Sequence, residues 1–75
     1  MADRYYVAMG EKLRAAREKK TYSLQYVGDR VGKSKKTILN YETAAHIIDT
    51  PMLKKICDVL DVDVVKLLND LMVYL

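Results

Sequence analysis

The chain has 75 residues, 51% of them apolar, and a formal charge of +3. That length supports one compact domain; the composition is too apolar for a disordered segment, and three glycines with one proline are too few turn-formers for a β-sandwich or barrel. A single cysteine, Cys57, excludes an internal disulfide and suits a reducing, cytoplasmic compartment, while no apolar run reaches the about 20 residues of a membrane span and Met1-Ala2-Asp3-Arg4 does not open a secretory signal.

Asp3 predicts the cap of a first helix running to about Lys20, with Tyr6, Met9, Leu13 and Ala16/Arg17 recurring at three- or four-residue spacing. Gly10 weakens its first two turns. Thr21-Tyr22-Ser23 breaks the pattern. Ser23 caps a short second helix, Leu24 to Val31, whose inward face is Leu24, Val27, Gly28 and Val31. Gly32 stands where a helix ends in a left-handed residue. Ser34 caps a third helix from Lys35 to about Thr43, with Ile38 and Tyr41/Glu42 turned inward. A loop from Ala44 to Asp49 follows, uncharged until its last residue. Thr50-Pro51 restarts helix as cap and first-turn proline, Met52, Leu53, Ile56, Cys57 and Leu60 form its stripe, and Asp61-Val62-Asp63 is its last turn. Asp63 caps a fifth helix, about residues 63–74, with Val64, Leu67, Leu68, Leu71 and Leu75 as the stripe that closes the core. The expected fold is all-α, five helices in a single domain spanning residues 1–75.

Charge is unevenly placed along these elements. Residues 1–40 hold ten Lys/Arg against four Asp/Glu, a balance of +6, and residues 41–75 hold three against six, a balance of −3. A basic half joined to an acidic half suits a protein that offers one end to a polyanion.

The second and third helices, about residues 23–43, meet the physical requirements of a helix-turn-helix. Gly28 lets the third helix lie close across the second, and Gly32 permits the sharp turn. Val27, Val31, Ile38 and Tyr41 stand where they bury together, which leaves Lys35, Lys36, Leu39, Asn40 and Thr43 outward as a set. A helix of this width fits the major groove, and its N-terminal residues reach base edges.

Four stretches together carry a family resemblance: Leu13-Arg14-x-x-Arg17; Ser23 to Gly32; Ser34-x-x-Thr37-Ile38-x-x-x-Glu42; and Leu53-x-x-Ile56-Cys57-x-x-Leu60-x-Val62. Over about residues 9–68 the chain resembles the lambda-repressor/Cro-like (Xre) helix-turn-helix regulators. The resemblance implies a five-helix DNA-binding domain in which Ser34 caps the recognition helix and, with Thr37, holds a phosphate. It places Lys35, Lys36 and Asn40 at base-reading positions, where Lys donates to guanine O6/N7 and Asn pairs with adenine, while Leu39 presses on a thymine methyl. It also implies an internal ion pair between Arg17 and Glu42 that is structural rather than a DNA contact. The chain departs from the family pattern at three places: Leu24 with Gln25 one position later, where a phosphate-touching Gln is usual; Lys33, where an apolar residue is usual; and Ala44-Ala45-His46-Ile47-Ile48, where a glycine and basic residues are common. Lys33, Gln25, Thr43 and His46 complete the candidate phosphate contacts.

No metal-ligand set, phosphate loop or catalytic constellation is present in the sequence: His46 has no second ligand at metal spacing and no nearby nucleophile, and Cys57 fits a small buried core residue. The expected protein is not an enzyme, needs no cofactor, metal or small-molecule substrate, and does not engage a membrane. Val65, Met72, Val73 and Tyr74 exceed what a 75-residue core can bury, which points to a homodimer surface that Ile47 and Ile48 could join, or else to the seat of a second domain in a longer repressor. The first functional expectation is a sequence-specific repressor that inserts helix 35–43 in the major groove of an operator built as an inverted repeat. The alternative is a protein-interaction module, an antirepressor or antitoxin, that kept the fold.

Overall fold

Every α-helix of the chain starts on a side chain that accepts a backbone hydrogen bond. A computed structural model describes residues 3–75. Helix α1 (Arg4–Lys19) starts where the Asp3 carboxylate accepts from the Tyr5 N–H at 2.8 Å, and α2 (Leu24–Val31) where Ser23 Oγ accepts from Tyr26 at 2.9 Å. Helix α3 (Lys35–Glu42) starts where Ser34 Oγ accepts from Thr37 at 3.1 Å. Asp63 accepts from Val65 and Lys66 to open α5 (Val64–Leu71). Such a cap is worth about 1 kcal/mol. It matters most for α2, α3 and α5, whose eight residues are too few to stand alone in water.

Three expectations about helix ends are corrected. The cap of α4 (Thr50–Leu60) is Asp49, not Thr50: its carboxylate reaches the Met52 N–H at 2.8 Å, and Thr50 becomes the first helical residue. The same helix stops at Leu60, because Asp61 turns left-handed at φ 56° and sends the Val62 N–H back to the Cys57 carbonyl at 2.8 Å. The fifth helix does not run to residue 74. It ends at Leu71, and Met72–Tyr74 tighten into a 3₁₀ turn that packs Tyr74 beneath the Arg4 guanidinium, 5.9 Å from the ring centre. A 3₁₀ turn rotates about 120° per residue instead of 100°. Leu75 therefore loses the register of Leu67 and Leu71 and points to solvent instead of closing the core.

The helices enclose one core in a body of 31 × 26 × 21 Å, with Met9, Leu13, Val27, Ile38, Leu53, Ile56, Cys57, Leu60, Leu67 and Leu71 inside. Ile48 belongs to that core, a correction to the expected dimer surface, while its neighbour Ile47 is exposed. Cys57 is fully buried, and burial pushes its thiol up to about 11.

Gly10 is where the chain's packing is tightest. Helix α1 is unbroken through it and crosses the end of α3 so closely that a Cβ there would lie 2.3 Å from the Glu42 carbonyl oxygen. A glycine on the inward stripe of Tyr6, Met9 and Leu13 thus buys backbone-to-backbone contact rather than a weak first turn. Gly28 does the same on α2, where a Cβ would stand 2.4 Å from the Lys33 carbonyl oxygen.

Candidate nucleic-acid interface

The turn between α2 and α3 is short and closes on the Gly28 carbonyl. Gly32 takes φ 75°, and the Lys33 N–H returns to the Gly28 carbonyl at 2.9 Å. Val27 and Ile38 bury beneath the pair, with Val31 and Tyr41 half-buried beside them. The inner face of α3 is thereby spent on the core, and only its outer face and its N-terminal end are open.

One side chain ties this pair to the rest of the molecule. The Arg17 guanidinium donates to both Glu42 carboxylate oxygens, Nε to Oε2 at 2.6 Å and Nη2 to Oε1 at 3.1 Å, and its Nη1 donates to the Tyr22 carbonyl at 2.8 Å. The side chains are 12% and 4% exposed, so the fork works in a partly dry environment where charge-assisted bonds are strong. The hydrogen bond to Glu42 holds Arg17 charged, raising its pKa further against the opposing effect of desolvation. A single residue of α1 thus reaches the end of α3 and the segment that leads into α2.

The opposite end of α3 is exposed and cationic. Lys33, Lys35 and Lys36 are all open to solvent, and among the described residues none of them takes part in an ion pair. The Ser34 hydroxyl accepts from the Thr37 N–H and lies 3.0 Å from the Thr37 hydroxyl, so one of the two hydroxyls donates to the other. The positive end of the helix dipole adds to the lysine charge at this point.

The remaining candidates divide by what already occupies them. Leu39 is 42% exposed on the outer face. Asn40 is half-buried, and its carbonyl accepts the His46 N–H at 3.2 Å, which folds the loop back against the helix and leaves the His46 side chain exposed. The Thr43 hydroxyl donates to the Leu39 carbonyl at 3.0 Å. Gln25 donates to the Asp29 carboxylate at 2.7 Å, so its amide is engaged and has an anion beside it. Of the four residues expected on a partner surface, Val65, Met72 and Val73 are exposed, and Tyr74 is partly covered by Arg4.

Several arrangements were not foreseen from the sequence. Tyr22 and Tyr26 stack with ring centres 4.4 Å apart, and Arg30 lies 5.7 Å over Tyr26, so the outer side of α2 is pre-ordered. An ion pair between Lys20 and Asp61 joins the ends of α1 and α4. The first two contacts stand at the i, i+4 spacing of a helix, a signal the sequence carried; the Lys20–Asp61 pair, 41 residues apart, has no such signature.

Against known proteins, a family model described as helix-turn-helix matches residues 13–67. No curated protein and no solved structure matches the chain significantly. Among the described residues no helix is long and apolar enough to cross a membrane.

Proposed function

Because this chain belongs to the lambda-repressor/Cro-like helix-turn-helix family of DNA-binding regulators, we propose that it is a sequence-specific transcriptional repressor that lays α3 in the major groove. The observation that carries this reading is the unpaired cationic tip of α3, held out on a helix whose other end is locked.

Affinity comes first from phosphates. Lys33, together with the Ser34 and Thr37 hydroxyls, grips the backbone beside the groove, and counterion release makes that grip strongly salt-dependent. Thr43, Gln25 and His46 are secondary contacts, since the Thr43 hydroxyl proton is already given to the Leu39 carbonyl and the Gln25 amide has the Asp29 carboxylate beside it. Sequence choice comes from the outer face. Lys35 and Lys36 donate to guanine O6/N7, Asn40 pairs with adenine, and Leu39 meets a thymine methyl. A homodimer places two such helices about 34 Å apart on an inverted repeat. Occupying an operator in this way needs no chemistry at the site, consistent with a family that is not typically enzymatic.

Selection of bound sequences from random duplexes tests the proposal. The expected product is an inverted repeat with half-sites about one helical turn apart. Enrichment of no motif, with equal binding to every duplex, overturns the sequence-specific reading.

A further inference from the structure

Helix α1 carries a face ordered cation, apolar, apolar, anion: Arg4, Val7, Ala8 and Glu11, at i, i+3, i+4 and i+7. These four residues and the Tyr74 ring line an open pocket of about 200 Å³. That is room for roughly six or seven waters at about 30 Å³ each, or for an aliphatic side chain in their place. Neither Arg4 nor Glu11 takes part in an ion pair among the described residues. Flanking Tyr74, Val73 and Leu75 are 81% and 80% exposed.

The geometry points to a second copy of this chain as the occupant of that pocket. When two copies of α1 face each other antiparallel about a two-fold axis between Val7 and Ala8, residue 4 of one lies opposite residue 11 of the other, twice. Arg4 then meets the partner's Glu11 at both rims, and each protomer's Val73 enters the other's pocket against Val7 and Tyr74. An unrelated partner has no reason to match this order of charges, whereas an isologous interface does so by symmetry. The arrangement rests on the homodimer reading above and specifies its contact surface.

Charge exchange tests it, read by sedimentation equilibrium with circular dichroism to verify folding. Glu11→Arg and Arg4→Glu should each weaken self-association at least tenfold by setting like charges across the axis. The double variant should recover to within a few-fold of the original chain. Val73→Asp, at a fully accessible position, should also weaken it tenfold while keeping the helical signal. A chain that stays monomeric at millimolar concentration, single reversals without effect, or a double variant that stays dissociated overturns the proposal. Binding of a single half-site duplex, followed by fluorescence anisotropy, separates the two readings: it fails only if the DNA reading fails, and it survives loss of the dimer.

Discussion

At its C-terminal end α3 is pinned, with Glu42 buried, forked by Arg17 and pressed by the backbone of α1 at Gly10; at its N-terminal end the same eight-residue helix exposes Lys35 and Lys36, with Lys33 just ahead of it in the turn, and no carboxylate among the described residues is paired to them. The free end can meet a polyanion because no ion pair among the described residues neutralises it. It can meet it at a defined angle because the other end is held by the fork and the close crossing. A helix of two turns cannot hold itself, so its aim is imposed from its base, and a reading surface is only as definite as the structure that supports it.

Four substitutions would break or sharpen this contrast. Gly10→Ala should have the largest effect, since its Cβ meets a backbone oxygen that has no rotamer to change. The expected loss is about 3 kcal/mol or more by urea denaturation, beyond ordinary overpacking, with DNA affinity lost only through unfolding. Glu42→Ala comes next. It strands the Arg17 charge in a mostly buried site and should cost about 2–3 kcal/mol, seen as a fall in melting temperature, and should weaken binding to all duplexes alike. Lys36→Ala reverses the pattern: melting should move by less than about 0.5 kcal/mol, while operator affinity falls about 10- to 100-fold and random-duplex affinity by much less. Equal losses on both duplexes would remove Lys36 from base reading. Lys33→Ala is the mildest, a several-fold loss on every duplex, with the slope of log affinity against log salt reduced by about 0.9.

Much of this was readable residue by residue. Asp3, Ser23, Ser34 and Asp63 announced four of the five helix starts, and the spacing of Val27, Ile38, Leu53, Ile56 and Leu60 identified the side chains that fill the core. Where two good caps stand together, as at Asp49-Thr50, composition cannot choose between them; the structure chose the residue whose carboxylate reaches an N–H three positions on. Gly10 looked like a flaw in a helix, though its place on the inward stripe was a signal of close approach. Leu75 was misassigned because helical periodicity was extended past the point where the chain tightens. The partnership of Arg17 with Glu42, 25 residues apart, followed from the family resemblance and not from any spacing.

Helix starts, stops and apolar faces are matters of local chemistry. Caps, left-handed residues and side-chain period act within about four residues, and each is written in neighbouring letters. Which faces meet is decided at longer range. The crossing of α1 over α3 at Gly10, the fork of Arg17 and the return of Tyr74 beneath Arg4 join residues 25 to 70 positions apart, and they exist because burying the apolar faces together in one core brings those groups within reach.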